Sequence, residues 1–437
     1  AICVGISIVT GPMIVEAIEV AKAVKAVCHD VPVILGGWHP STLAEQSLHA
    51  PYIDVVVRGQ GEMTFGEILD RLRANESLEG VAGCSYRNAE GRVVHNPPRG
   101  TVNISELPPK SFHLVDIEPY ASLSGRRWAY YASSHGCPYD CSFCSNASLY
   151  GRAWNALSAE RVVQELVDIV TRFRLDLVSI VDDNFLVDRQ RGIDIASGLI
   201  ESGVRFDWCI QTTANFLIRS TDEELRLMRE GGLNRVFIGA ESGSDDVLRS
   251  VNKVRFQGTK VLYEVAEKCH RANIRCTFSL IFALPDETDS DQRQTLAMIR
   301  EIKSRFPNTE FHSNIYTPYP GAPNFKRALN MGLKEPQSLE EWADFYPKFQ
   351  RLPWINAKQH ARIQRMRDYI RIAYGMDGVR RRSGLRNTAN LLLRPIARAR
   401  LGAHRYELPL ELWALSSLSR AKNALGFHNV RTHIVQS

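Results

Sequence analysis

The sequence predicts an α/β protein made of two successive strand-and-helix systems. A partial doubly wound sheet comes first, then a partial (β/α)6 barrel, then a mainly helical C-terminal region. Three observations predict it. Residues 1–74 alternate short apolar runs with amphipathic stretches, residues 128–319 repeat strand then helix about six times, and a proline-bearing segment from Leu107-Pro108-Pro109 to about Tyr120 separates the two. The divisions expected are residues 1–105, a linker over 106–124, the barrel over 125–325, and helices over 326–437.

The first strand is the apolar run Ile2 to Val9, closed by the turn Thr10-Gly11-Pro12, with proline where a first helical turn tolerates it. An apolar-periodic helix then runs through Cys28. The second strand, Val31 to Leu35, carries Pro32 near its start, where a missing ladder donor costs least, and stops at Gly36-Gly37. A third strand, Ile53 to Val57, leads into the turn Gly59-Gln60-Gly61-Glu62 and a helix from about Met63 to Ala74. Ligands of such sheets bind beyond the carboxyl ends of the strands. Gly36, Gly37, Gly59 and Gly61 sit there, where a missing Cβ lets a ligand approach the backbone; the residues alone leave plain tight turns equally open. Gly83 to Arg87 and Arg92 to His95 read as a hairpin.

Barrel strands are expected near Ala129, Leu177, Phe206, Val236, Ile274 and Phe311, with Ser158 capping the first helix and Thr221 to Glu224 forming a capping box. Functional groups of parallel barrels lie at the carboxyl ends of strands. Those ends are polar here: Asp182-Asp183-Asn184, Gln211-Thr212-Thr213, Glu241-Ser242-Gly243-Ser244, and Tyr316-Thr317-Pro318-Tyr319. Helix capping explains any one of them alone.

The most specific stretch follows the first barrel strand: His135-Gly136-Cys137-Pro138-Tyr139-Asp140-Cys141-Ser142-Phe143-Cys144, three cysteines at the spacing CxxxCxxC. Three thiols cannot pair off into disulfides, and their closeness suits a metal. A cluster with one open iron fits best, and a zinc knot with His135 as fourth ligand stays open.

CxxxCxxC with Phe143 before the third cysteine resembles the signature of the radical SAM enzymes. The resemblance implies that Cys137, Cys141 and Cys144 bind three irons of a four-iron four-sulfur cluster. S-adenosylmethionine (SAM) would chelate the fourth, and one-electron reduction would yield a 5′-deoxyadenosyl radical. Asp182, Asp183 and Asn184 stand where that family has its GGE-type motif, which holds the SAM amino group. Glu241 and Ser242 match the strand-four segment that contacts ribose or carboxylate, and Tyr316 would offer backbone bonds to adenine; Phe143 and Gln211 complete the implied SAM set. Leu284-Pro285-Asp286-Glu287-Thr288 resembles the family's GLPGET turn, with Ala283 and Asp286 in place of two glycines.

Ser7-Ile8-Val9, followed after 26 residues by Gly36-Gly37, resembles the SxL and GG halves of the cobalamin-binding module, with Val9 for the usual Leu. The chain as a whole resembles radical SAM enzymes that carry a cobalamin-binding domain, Rossmann-like (flavodoxin-like) in fold. The implied cobalamin set is Ser7, Thr10, Gly11, Gly36, Gly37, Gly59, Gly61 and Glu62. The module's DxHxxG segment would lie upstream of Ala1, and because the chain starts without Met, an upstream part is expected to be missing.

The expected activity is methylation of an unactivated carbon through methylcobalamin. The alternative is a non-methylating oxidative cyclase or rearrangement enzyme; a methylthiotransferase and a non-catalytic cobalamin or iron-sulfur sensor rank lower. No catalytic residue beyond the cluster ligands is assigned. The resemblance calls for a small-molecule or lipid-like substrate and an electron donor such as flavodoxin or ferredoxin.

Apolar residues make up 44% and charged residues 23% of the 437, ordinary for a globular protein, and no eighteen-residue apolar run or leader appears, so a cytoplasmic protein is expected. Cys3, Cys28, Cys84, Cys209, Cys269 and Cys276 read as reduced core thiols. Of the net charge of +6, residues 360–405 supply +10, from twelve Arg against Asp368 and Asp377. That run is a solvated face or rests on an anionic membrane surface; no base-reading motif accompanies it, so nucleic acid is not expected. Trp342, Phe345, Tyr346, Phe349 and Trp354 either cover the barrel mouth or form a helical core.

Overall fold

The computed structural model describes residues 1–253, 258–345, 352–375, 384–407 and 409–413, without the side chains of 122–124 and 384–390. The expected α/β architecture is present. In the first unit β1 (Val4–Ser7), β2 (Val33–Gly36) and β3 (Val55–Val57) pair in parallel. They are joined through α1 (Met13–Val27) and the short α2 (Trp38–Thr42) and α3 (Ala44–Leu48). After α4 (Glu62–Ala74), the hairpin β4 (Cys84–Arg87) and β5 (Val93–His95) adds to the same sheet antiparallel, in the order β1-β2-β3-β4-β5. The hairpin is therefore part of the sheet. Arg87 helps to seat it, donating to the carbonyls of Leu48, Ala50 and Ile53.

A linker with α5 (Glu118–Ser124) leads into the second sheet. Its strands are β6 (Trp128–Tyr131), β9 (Leu177–Ile180), β10 (Asp207–Thr212), β11 (Leu233–Glu241), β12 (Arg275–Phe282) and β13 (Thr309–Ile315), all parallel and in sequence order. This is an open barrel of six βα units. An unforeseen two-stranded ribbon, β7 (Ser134–Gly136) with β8 (Trp154–Ala156), stands above β6 and carries α6 (Asn146–Tyr150) between its strands. The outer helices are α7 (Ala159–Phe173), α8 (Arg189–Glu201), α9 (Ala214–Leu217), α10 (Asp222–Glu230), α11 (Asp245–Ser250), α12 (Lys260–Arg271) and α13 (Asp289–Arg305). Ser158 caps α7, and Thr221 with Glu224 closes the capping box of α10, as their sequence positions predict.

After the barrel come α14 (Pro323–Asn330), α15 (Leu339–Ala343), α16 (Ala357–Tyr374) and α17 (Gly384–Ala403). The last two pack together, and α16 lies on β13, where the barrel is open. The α14–α15 segment takes another course. Phe325, Leu339, Trp342 and Phe345 join Ile14, Ile18, Leu35 and Val56 in the core of the first unit. Trp342 donates to Gln46 and meets the His39 ring edge-on at 5.4 Å, while Glu340 accepts from Tyr52 at 2.8 Å and Lys22 at 3.2 Å. Of the aromatic group expected to cover the mouth or form a core, Trp342 and Phe345 are thus core, but of the first unit. Trp354 alone stands at the barrel, donating to Ala283 at 3.0 Å; Tyr346 and Phe349 lie outside the described residues.

All nine cysteines are free. Four outside the triad are buried, but Cys28, expected in a core, is exposed because it lies just past the end of α1. Among the described residues no helix is long and apolar enough to cross a membrane. Because Trp342 is fully buried and ties chain ends almost 300 residues apart, Trp342→Ala should cost about 3–5 kcal/mol, read from urea unfolding. An unchanged midpoint would show that α15 does not hold the first unit.

Candidate functional site

The cysteine loop leaves the ribbon at Gly136 and is fastened at its base. Asp182, fully buried at the end of β9, accepts from Ser133 N, Ser133 Oγ and Ser134 Oγ, each at 2.6 Å. Arg191, buried on α8, donates to the carbonyls of Leu157 at 2.7 Å and Ser133 at 3.0 Å, and Leu157 N donates to Ser133 O. The two chains of the ribbon are clamped between a carboxylate and a guanidinium. Gly136 has φ +84°, and a Cβ there would lie 2.1 Å from the Ala153 carbonyl, so only glycine allows the ribbon to close.

Beyond the clamp, Cys137 receives a long contact from Asn184 Nδ2 at 3.7 Å, and Cys144 Sγ accepts from Asn146 N at 3.4 Å. Asn184 is itself held by Thr212 Oγ1 at 2.9 Å, and Asp183 accepts from Gly136 N at 2.9 Å. Burial pushes the Cys141 thiol up and the Cys144 thiol to about 11, with the neighbouring sulfurs adding to both. Burial also raises the Asp183 carboxyl. Cys141 and Cys144, which resist ionising beside one another, need a positive centre to do so, and thiolate-bound iron supplies one. Among the described residues no three His, Cys, Asp or Glu close on a single-ion site. The donor set fits an iron-sulfur cluster.

Lys253 stands beside this loop, a residue that sequence reasoning missed. Its ammonium donates to Glu241 Oε1 at 3.0 Å and lies 5.8 Å from the Phe143 ring centre. Burial opposes its charge, but the Glu241 carboxylate and Cys141 hold it above its ordinary range. Its position eleven residues past Ser242 gives no sequence signal; only the fold brings it back. Glu241 has φ +58°, as do Ala283 (+64°) and Asp286 (+70°) at the turn after β12, so the two residues standing for glycines keep a left-handed backbone.

The implied SAM set divides. Asp183 and Asn184 contact the cysteine loop, Phe143 belongs to it, Glu241 pairs with Lys253 beside it, and Gln211 lies next to the last residue of β10. Asp182 is committed to the clamp, and Ser242 is fully buried, sharing Thr295 Oγ1 at 3.2 Å and accepting from Ser244 N. Tyr316 N donates to Phe282 O at 2.8 Å, so its amide is engaged in the strand. In the turn below, burial raises the Glu287 carboxyl to about 8 against hydrogen bonds from Ala283 N and Gln292.

The other glycine turns converge at the ends of β1–β3. Gly37 has φ +97°, and a Cβ there would meet Ile8 O at 2.4 Å and Ser7 Oγ at 3.0 Å. Thr10 Oγ1 is bonded to His39 Nδ1 at 3.1 Å, Gly59 N donates to Ser41 Oγ at 2.9 Å, and Gly59 has open space where a Cβ would be. Gly11 borders the Phe345 carbonyl; Gly36 ends β2, Gly61 precedes α4, and Glu62 starts that helix. His39, fully buried with its pKa lowered by burial to about 4, and Ser41 were also missed. Beside Ser41 a cavity of about 690 Å³ opens, lined among others by Thr42, Gln46, His49, Arg58 and His95, in the size range of small-ligand sites. Glycine cradle and polar cavity fit a large ligand with a polar tail.

The two sites meet. Trp38 of α2 packs edge-on against Tyr150 of α6 at 6.0 Å, and Tyr150 lies 5.9 Å from the His135 ring. A Cβ on Gly321 would strike Ser148 and Thr42 together, so barrel, loop helix and first unit touch at one point.

A B12 binding domain model matches residues 1–69 and a radical SAM superfamily model matches residues 131–299. An uncharacterized methyltransferase of Pyrococcus horikoshii is 31% identical over 333 residues, 76% of this chain and 70% of that protein. The hopanoid C-3 methylase of Methylococcus capsulatus is 28% identical over 70% of this chain, and the anaerobic magnesium-protoporphyrin IX monomethyl ester cyclase of Rubrivivax gelatinosus 26% over 72%. The chain spans 56% of the length of each of those two. In fold it matches the cobalamin-dependent S-adenosylmethionine radical enzyme OxsB, with TM-score 0.68 and 17% identity over 96% of this chain and 67% of that one. The chain belongs to the radical SAM enzymes that carry a cobalamin-binding domain, whose cofactors are a four-iron four-sulfur cluster, SAM and cobalamin.

Two outcomes check this site. Asp182→Ala leaves Ser133 N, Ser133 Oγ and Ser134 Oγ without their buried acceptor and should cost about 1–3 kcal/mol or more, with iron per chain after reconstitution falling in parallel; full iron loading would show that the clamp does not hold the loop. Glu287 has a folded pKa near 8 against an ordinary value of 4.5, so its stabilising contribution is whole below about pH 4.5 and lost as pH rises to about 8. Melting temperatures of Glu287→Gln should lack that decline.

Proposed function

We propose that the chain forms a 5′-deoxyadenosyl radical at the barrel mouth and methylates an unactivated carbon, with cobalamin as the methyl carrier. The observation that carries this is the contact of α2, which follows the Gly36-Gly37 turn, with α6 of the cysteine loop, because a methyl carrier must stand next to the carbon that the radical activates. When bound, the cluster supplies the electron that cleaves SAM, and the corrinoid supplies the methyl group.

In this reading Cys137, Cys141 and Cys144 hold the cluster. The Lys253–Glu241 pair, Asp183 and Asn184 orient SAM over it, and Phe143 and Tyr316 shut the side toward α11. Ser7, Thr10, Gly11, Gly36, Gly37, Gly59, Gly61 and Glu62 bed the corrinoid, with the cavity beside Ser41 taking its polar tail. Residues 1–105 form the cobalamin unit and 125–325 the radical unit. A flavodoxin or ferredoxin supplies electrons, in the cytoplasm. The described part of the arginine run is largely spent within the fold: Arg362 on Asp289, Arg371 on Asp368, Arg400 on Glu411, and Arg365 on the Tyr406 carbonyl. The proposal therefore places no weight on membrane contact or nucleic acid; Arg380, Arg381 and Arg382 lie outside the described residues.

The test is anaerobic reconstitution with iron and sulfide, reduction with dithionite in the presence of SAM and hydroxocobalamin, and mass spectrometry of the products. 5′-Deoxyadenosine together with S-adenosylhomocysteine is expected. Deoxyadenosine alone would move the chain to the non-methylating cyclase class, and neither product from cluster-loaded protein would end the proposal.

A further inference from the structure

Residues partnered in register along parallel strands share a face of the sheet. Ile210, Val236, Ile238, Phe278, Leu280 and Phe311 pack under the helices, so their alternates line the barrel lumen. The lumen is unusually polar. Its floor is an ion pair, Arg235 with Glu310 at 3.0 Å, both buried, with Thr277 donating to Glu310 at 3.3 Å. Because the two charges neutralise each other, the floor asks for no charged ligand.

Above the floor, Ser279 is in register with His312, and Ile281 with Asn314. Asn314 Nδ2 reaches Ser279 Oγ at 3.3 Å and His312 Nδ1 at 3.4 Å, both near the long limit for a hydrogen bond. All three residues are half-buried, whereas the alternate residues on the helix-facing side are fully buried. Phe237 and Ile281 provide an apolar wall on the neighbouring strands. From Thr277 to Ile281 the strand rises about 13 Å, which sets the height of this wall above the floor.

Resting on the radical reading above, we infer that the substrate is a compact polar molecule, its hydroxyl, amide or carboxylate groups held by Ser279, His312 and Asn314, and not a lipid. A hydrocarbon laid on this wall would strip water from the Ser279 hydroxyl and the Asn314 amide and return no hydrogen bond, which is how a polar site rejects an apolar analogue. A ring carrying such groups would bond to the polar strands and lay its face on Phe237.

The reconstituted enzyme, given methyl-labelled SAM, is incubated separately with the water-soluble small-molecule fraction and with the lipid fraction of the same cells, following 5′-deoxyadenosine and label. The water-soluble fraction should raise deoxyadenosine above the rate without addition and yield a labelled product. Ser279→Val and Asn314→Leu, checked for fold by near-ultraviolet circular dichroism, should each cut that stimulation about tenfold or more. Stimulation by the lipid fraction overturns the inference, as does stimulation by neither fraction while SAM is cleaved. Full stimulation of both variants by the water-soluble fraction overturns the assigned wall. Absence of SAM cleavage under every condition removes the radical reading itself, a distinguishable failure.

Discussion

The clamp of Asp182 and Arg191 on the ribbon base is the interaction on which the rest of the site depends. A loop with three cysteines cannot organise itself, since its sulfurs repel one another once ionised and the positive charge beside them, Lys253, comes from another segment. Its geometry has to come from outside the loop. A carboxylate at the end of β9 and a guanidinium on α8 hold Ser133, Ser134 and Leu157, and the loop is thereby fixed to the barrel before any metal arrives. Both groups are buried, so removing either leaves buried polar groups of the ribbon without a partner.

The parallel ladder does the remaining placement. Six strands in sequence order point their carboxyl ends one way, so Asp183, Asn184, Gln211, Glu241 and the Ala283 turn gather on one rim although some hundred residues separate them. The same register divides each strand into a face that meets helices and a face that meets the lumen. The first is continuous hydrophobic core; the second carries hydroxyl, amide, imidazole and paired charges. Stability and substrate choice are in this way assigned to alternate residues of the same strands.

The two units are joined by more than a linker. α14 and α15 return from the end of the barrel to the core of the first unit through Phe325, Trp342 and Phe345, while α2 and α6 meet through Trp38 and Tyr150. The glycine turns of the first sheet are therefore held toward the cysteine loop from two sides, which keeps the distance between the two cofactor sites from depending on a flexible connection.

The cysteine spacing, the Ser7 and Gly36-Gly37 pair, the strand positions and the caps at Ser158 and Thr221 were legible in the sequence because each is a local property: a short spacing, a period of two or 3.6, or a side chain bonding three residues on. Asp182 was legible as a polar strand end but not as a clamp, since its partners lie about 50 residues away. Lys253, His39, the ribbon of β7 and β8 and the destination of Trp342 left no local mark. The polarity of the lumen was present in Thr277, Ser279, Glu310, His312 and Asn314, yet residue type alone does not say which face of a strand looks inward. The sequence by itself determined the chemistry available and the elements that carry it, because those follow from covalent neighbours; only the tertiary structure decided which groups face one another, because burial and register are properties of packing between distant segments.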